Sequence, residues 1–323
     1  MKTYRKLLMG ALACMLPLAG HTADYPDRSI SWIVPYAAGG GTDVVARALA
    51  NEMSKSLGQS IVIENKPGAN TAIGASQVAR APNNGYTVGS ADNATLALNQ
   101  HLFPKLTYTP ASDFEFVGGI ARFPYVLVVH PSLSGNSVMD LIKMAKEKPG
   151  AISYGSPGMG GPNHVAMELL QQRTGVEFLH VAYRGAAPVM QDLIAGQIQF
   201  ALIDTASSMQ YIQSKRVRPI AVSTEKRLAS LPDVPTFTEA GVADFIAFSW
   251  QGMIVPRGTP APIIEKLNAA LNTALSSEKV NDTLSAMGVE RSPTTPDEFR
   301  QFVSGQDTLW GKVISEAKIS LGQ

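Results

Sequence analysis

A chain of 323 residues, 45% hydrophobic and 16% charged, is long enough for one large or two moderate domains around a substantial core. Its 27 basic and 26 acidic residues include no long basic run, which argues against nucleic acid or an anionic membrane as a partner. A single cysteine, Cys14, excludes an internal disulfide.

Residues 1–23 read as a secretory leader. Lys2, Arg5 and Lys6 form a basic start, 7–18 an apolar run, and small residues follow up to Ala23; the apolar run is too short for a stable membrane span. Cleavage near Ala23 or Gly20 removes Cys14, so the exported chain is held by its core alone, which suits a bacterial periplasm. A lipidation site at Cys14 is the weaker reading, because it leaves the apolar run too short for a signal. Without the three basic residues of the leader the balance is 24 basic against 26 acidic, a net charge of about −2.

The rest of the chain is organised around the stretch 30–49. Ile30, Trp32, Ile33 and Val34 have strand length and composition, and 37–41 (AAGGG) must be a tight loop. Thr42 and Asp43 start a helix whose apolar face is Val45, Ala48, Leu49, Met53 and Leu57. Strand, glycine loop and helix in that order aim unpaired N–H groups and the positive end of a helix dipole at one point, an arrangement that suits an anion. A plain turn accounts for the glycines equally well.

A strand at 61–63, a helix at 71–80, a strand at 86–89 and a polar turn at 90–95 opening another helix complete a βαβαβα pattern, which predicts a parallel sheet with covering helices. Apolar runs at 114–120 and 125–129 read as two strands separated by 121–124. The alternation restarts with a helix at 138–146 and a strand at 152–154. A second glycine loop at 155–161 leads into a helix opened by Pro162 and running to Arg173. Strands at 178–182, 198–203 and 219–222 follow, with a helix at 188–195 after the Tyr183–Arg184–Gly185 turn. Residues 231–238 are proline-rich and irregular, 250–255 is a strand, and helices at 260–276, 280–287 and 297–319 finish the chain. The last carries Phe299, Phe302, Val303, Leu309, Trp310, Val313, Ile314 and Ala317 on one core-facing stripe.

Enzyme motifs fail on their spacing. After the glycines at 155–160 a P-loop needs lysine and a hydroxyl residue, but Gly161 and Pro162 stand there. Ser156 has Gly158 ahead but Tyr154 behind, so it is no nucleophile elbow. Val44 and Val45 stand where a dinucleotide fingerprint would place its last glycine. His164 and Glu168, four apart on a helix, could share a metal, but a surface pair is the plainer reading; no cofactor is implied.

Binding chemistry fits better. Two opposed helix starts can satisfy carboxylates through backbone donors around Ala38, Gly39 and Gly40 in one half and Ser156, Gly158 and Gly160 in the other. Ser156, Asn93, Thr95 and Asn163 add side-chain donors. Arg184, beside Tyr183, is the only cation at these loops and either touches ligand or makes a surface ion pair. Asp43 supports its own helix start. Asp204, ending a strand, either accepts from a ligand amine or hydroxyl or makes a structural hydrogen bond.

Assembled, the chain resembles the Bug/TctC family of periplasmic solute-binding proteins of tripartite tricarboxylate transporters. The resemblance rests on IVPYAAGGGTDVVAR at 33–47, ENKPGANTAIGASQVARAPNNGYTV at 64–88, YGSPGMGGPNH at 154–164, VAYRGAAPVMQDLIAGQIQF at 181–200, LPDVPTFTEAG at 231–241 and WQGMIVPRGTPAPIIEKLN at 250–268. It implies an α/β, two-domain periplasmic binding protein (type II-like), each domain a mainly parallel sheet flanked by helices, with the ligand cleft between them. The first domain is expected at 24–124 plus 249–323 and the second at 125–248. The implied ligand is a small carboxylate: a dicarboxylate or tricarboxylate, an aromatic acid or an acidic amino acid. It is held by Ala38, Gly39, Gly40, Asn93, Thr95, Ser156, Gly158, Gly160, Asn163, Tyr183, Arg184 and Asp204. The implied partners are the membrane components of such a transporter, or a sensor kinase, and the protein is expected to be a periplasmic monomer. Ala38 stands where the family often has proline, and Asn70–Thr71 where a glycine pair is common, a change at the cleft rim that allows for an unusual ligand. An enzyme of the same architecture, acting on a carboxylate, is the alternative.

Overall fold

The computed structural model describes residues 25–322; the expected leader and Cys14 lie outside them. The chain begins β1 (Ile30–Val34), α1 (Gly41–Leu57), β2 (Ile61–Asn65), α2 (Ala72–Ala79) and β3 (Thr87–Asp92). A π-helical turn, Ala94–Leu98, leads through α3 (Asn99–Leu102) and α4 (Pro110–Asp113) into the long strand β4 (Phe114–Val129). Next come α5 (Val138–Glu147), β5 (Ser153–Ser156), α6 (Pro162–Thr174), β6 (Leu179–Ala182), α7 (Ala186–Ile194), β7 (Phe200–Asp204), α8 (Thr205–Gln213) and β8 (Arg218–Val222). After an irregular stretch, β9 (Phe248–Pro256), α9 (Ala261–Leu275), α10 (Glu278–Ala286), β10 (Glu290–Arg291) and α11 (Pro296–Ala317) close the chain.

The strands form a mixed sheet in the order β2-β1-β3-β9-β4-β7-β5-β6, with β8 and β10 also paired to β4. β1 pairs in parallel with β2 and β3, and β5 in parallel with β6 and β7, so each half has the parallel centre that strand–helix alternation demands. β4 and β9 pair antiparallel, and β4 carries the sheet from one half to the other. Its residues up to Pro124 face β9, and those from Tyr125 onward face β7 and β8.

Two local expectations are corrected. The runs at 114–120 and 125–129 are one strand, because the intervening Ala121–Arg122–Phe123–Pro124 are paired to β9 across Gln251, Trp250, Ser249 and Phe248. α8 had no counterpart among the expected helices. Its TASSMQYIQ sequence is rich in short hydroxyl residues that are indifferent helix formers, and Asp204 starts it by accepting the Ser207 N–H at 2.8 Å.

The core is layered on both faces of the sheet, with Trp32, Leu49, Met53 and Leu271 on one side and Phe114, Phe200 and Phe299 on the other. α11 buries Phe299, Val303, Trp310, Val313 and Ile314, the stripe its spacing predicts, and Gln172 of α6 donates to its Val313 carbonyl at 3.0 Å. It therefore packs on elements of both halves. Gly252 on β9 is obligatory beneath it: a Cβ there would lie 2.0 Å from the Phe299 ring.

Candidate functional site

Three helices away from the glycine loops begin on side-chain caps. Ser137 caps α5, Ser277 α10 and Thr295 α11, with reciprocal bonds from Asp140 and Glu298 at the first and last. α1, α6 and α7 begin instead on Gly40, Gly161 and Gly185, and among the described residues no side chain caps their first-turn N–H groups. A serine or aspartate at Gly40 or Gly161 would contribute a few tenths of a kcal/mol over glycine, whereas Gly185, at φ +104°, would strain either. Leaving it out keeps donors open.

At the first loop, Ala38, Gly39 and Gly40 are exposed. Gly39, at φ +83°, donates its N–H to Asp43 Oδ2 at 2.8 Å, so that group is not open. The buried Asp43 also accepts from Arg47 Nε at 2.9 Å and Asn65 Nδ2 at 2.8 Å, and Asn65 donates a further bond to the Tyr36 carbonyl at 3.0 Å. Burial opposes ionisation of Asp43, but the bonds from Arg47, Gly39 and Asn65 outweigh it and hold the carboxyl below its usual range. The expected role of Asp43 in supporting its helix start is what the structure shows. Behind Gly40 the 17 residues of α1 supply an aligned dipole. The start of α1 faces the start of α8: a Cβ on Gly41 would sit 4.0 Å from Ala206 and 3.5 Å from Phe123.

The second loop is more closed. Ser156 Oγ donates to the Gly158 carbonyl at 3.1 Å and shares a 2.7 Å bond with His180 Nε2. Gly160 donates its N–H to His164 Nδ1 at 3.0 Å and is packed against Leu102 and Leu321. With Nδ1 accepting, the His164 proton sits on Nε2, aimed at Glu168 3.4 Å away. The imidazoles of His164 and His180 stack with centroids 4.0 Å apart. Burial, and then His164, push His180 down to about 4. His164 is buried, so its pairing with Glu168 is not the surface pair the spacing suggested; no metal-binding cluster exists among the described residues. Gly158 stays half-exposed at φ below zero, and a Cβ there would meet only the Tyr183 carbonyl, at 4.0 Å.

The remaining expected residues are largely engaged within the fold. Asn93 holds the crossing strand β9, donating to the Phe248 carbonyl at 3.1 Å and accepting the Trp250 N–H at 2.9 Å. Thr95 is fully buried and donates its N–H to Asp92 Oδ1 at 2.9 Å. Asn163 donates to the Leu202 carbonyl at 3.0 Å. The Tyr183 hydroxyl donates to Asp192 at 2.7 Å, and Arg184 is exposed with no ion pair among the described residues. Both oxygens of Asp204 accept from Ser207, and burial raises its pKa against those bonds.

Several residues at the junction of the halves had no signal in the sequence. Tyr36, next to the first loop, donates its hydroxyl to the buried Asp92, which also accepts from Thr95. Burial pushes the Asp92 carboxyl up, and burial followed by Asp92 pushes the Tyr36 phenol up. Tyr125, opposite Asp204 on β7, shares a 2.5 Å bond with Ser249 of β9. Gln251, opposite Asp92, donates to Ser90 Oγ at 3.0 Å, while its own buried carbonyl oxygen has no partner among the described residues. These contacts join positions 56 and 124 apart in the chain, beyond the reach of any local pattern.

The chain is similar to known proteins in sequence and in fold. A family model described as tripartite tricarboxylate transporter family receptor (TctC) matches residues 45–319. Protein BugT of Bordetella pertussis is 33% identical over 320 residues, covering 97% of this chain and 98% of its own. The structure of R. palustris Rpa4515 with adipate superposes with a TM-score of 0.85 at 36% identity, covering 92% of this chain and 100% of that one. MatC (Rpa3494) from Rhodopseudomonas palustris with bound malate gives 0.80 at 31% identity, covering 90% and 100%.

Proposed function

The chain belongs to the tripartite tricarboxylate transporter receptor (Bug/TctC) family, and from that premise we propose that it captures a small aliphatic dicarboxylate outside the cytoplasm and hands it to a membrane transporter. The observation that carries this reading is the open start of α1. Its exposed glycine cap, Gly40, leaves the first-turn N–H groups of the half-buried Gly41 and Thr42 without a side-chain partner among the described residues and facing the start of α8 across the junction of the two halves. A carboxylate supplies the missing acceptors and the charge the dipole favours. That adipate and malate occupy two relatives supports a dicarboxylate.

On this reading residues 24–124 plus 249–323 form one lobe and 125–248 the other. The lobes close about the crossings near Phe123–Pro124 and Phe248–Ser249. Ala38 and Gly40 contribute donors from the first lobe, and the Tyr183–Arg184 turn and the start of α8 from the second, where Gly158 leaves room for the ligand to approach. Closure is what the membrane partner, or a sensor kinase, reads. The leader sequence supports a periplasmic location. Among the described residues no helix is long and apolar enough to cross a membrane.

Gly40→Asp is the decisive variant. Gly40 has φ −75° and ψ 164°, the extended geometry of an N-cap, so aspartate fits, caps α1 and places a negative charge in the anion position. The expected outcome is an unchanged or raised Tm together with loss of adipate and malate binding by calorimetry, the ligands being recovered unaltered. Binding retained by Gly40→Asp would remove the first loop from the site, and a ligand consumed on incubation would turn the protein into an enzyme.

A further inference from the structure

Behind the crossing strands lies a cavity of about 320 Å³, walled by Leu169 and Arg173 at the end of α6, by Ile246 and Phe248, and by Phe302 and Trp310 of α11. That volume suits a small ligand. We propose that this cavity is a second binding site, for a monocarboxylate with a flat apolar body, distinct from the glycine-loop site.

Two polar groups in it are left without acceptors. Arg122 on β4 is half-buried with its guanidinium 4.8 Å from the Phe248 ring centroid and 5.5 Å from that of Phe302. No carboxylate among the described residues is ion-paired with it. Gln306 of α11 also lines the cavity, and its amide orientation is dictated by chemistry. Trp310 Nε1 at 2.9 Å and Trp250 Nε1 at 3.2 Å both point at it, and an indole can only donate. The oxygen must therefore face the indoles, which turns the NH2 away from them without a partner among the described residues. A guanidinium and an amide NH2 over aromatic walls form a site for a carboxylate whose body stacks on rings. Glu225 and Asp244 also border the cavity, but both are exposed, where water screens them, and Arg173 opposes them.

The cavity also touches the proposed cleft indirectly. α6 starts at the second glycine loop and ends at Arg173 in this wall, and the Phe248 carbonyl is held by Asn93. An occupant bridging α6 and α11 therefore changes the ease of closure. This coupling rests on the function proposed above; occupancy of the cavity does not.

The test is calorimetric titration of the exported chain with benzoate, with benzyl alcohol as the uncharged control. Saturable benzoate binding is expected, absent for benzyl alcohol, weakened at least tenfold by Arg122→Met and by Gln306→Glu, and unchanged by Gly40→Asp. Gln306→Glu keeps an acceptor for both indoles, so its Tm should hold while its charge repels the probe. No saturable heat at millimolar benzoate, or binding lost in Gly40→Asp but kept in Gln306→Glu, overturns the proposal. Saturating benzoate should then shift the adipate Kd several-fold. Failure of adipate to bind any form of the protein would count against the cleft reading alone.

Discussion

The two glycine loops look alike on paper and differ in kind. The first is exposed and braced from behind by one ionised carboxylate, Asp43, which takes the Gly39 N–H and leaves Gly40 and the start of α1 open. The second is partly buried and braced by imidazoles, with the Ser156 hydroxyl and the Gly160 N–H both engaged there. One presents donors to a ligand. The other shapes a wall and presents little, since the Gly158 N–H also donates to Ser156 Oγ at 3.4 Å. A glycine-rich loop before a helix is thus a binding device only as far as its own side chains leave its N–H groups free.

The sharpest break of this contrast is Asp43→Ala. It strips the acceptor from three donors at once, so a loss of about 2–4 kcal/mol in chemical denaturation is expected, with ligand affinity falling as the loop relaxes. A cost below about 1 kcal/mol would mean that Asp43 does not organise the loop.

Two glycines of the second loop should separate next. Gly160→Ala meets both a positive φ and a Leu321 methyl 2.5 Å from its Cβ, so a loss of roughly 1–3 kcal/mol is expected. Gly158→Ala has open space and should stay within about 0.5 kcal/mol of the parent while weakening ligand binding. Equal stability losses at the two positions would erase the distinction between wall and opening.

The braces should also separate by pH. His180 titrates near 4 in the folded chain, against an ordinary imidazole value of 6.5 when unfolded. Between those values the unfolded chain binds the extra proton, so this group's contribution to stability falls as pH drops from 6.5 towards 4. Asp43, held below its usual range, keeps its contribution through that window and loses it only as pH falls through its lowered value. Asp92 and Asp204, raised by burial, work the other way and gain stability as they protonate. The difference between the parent and His180→Asn melting profiles isolates the imidazole, and parallel profiles would show that His180 is not the weak brace.

The smallest effect belongs to Asp204→Asn. An asparagine oxygen can still cap α8, so a change of at most about 1 kcal/mol is expected, with malate and succinate affinities shifting alike. A loss confined to malate would place Asp204 on the ligand hydroxyl.

Much of this protein was legible from sequence because its signals are local. Apolar runs, glycine turns and helix starts recur within about ten residues of one another, so strand, loop and helix follow from backbone preference and periodicity. The βα alternation then leaves few topologies, and the stripe on α11 fixes the face it buries. What the sequence could not determine depends on residues far apart in the chain. Tyr36 meets Asp92, Tyr125 meets Ser249, and Gln306 meets Trp250 only because β3, β9 and β4 lie side by side. Asn93 read as a ligand donor and instead clasps the crossing strand β9, since a side-chain amide goes wherever the fold leaves backbone groups unpaired. The sequence determined which loops could present N–H groups; the packing of side chains behind them decided which groups remain free.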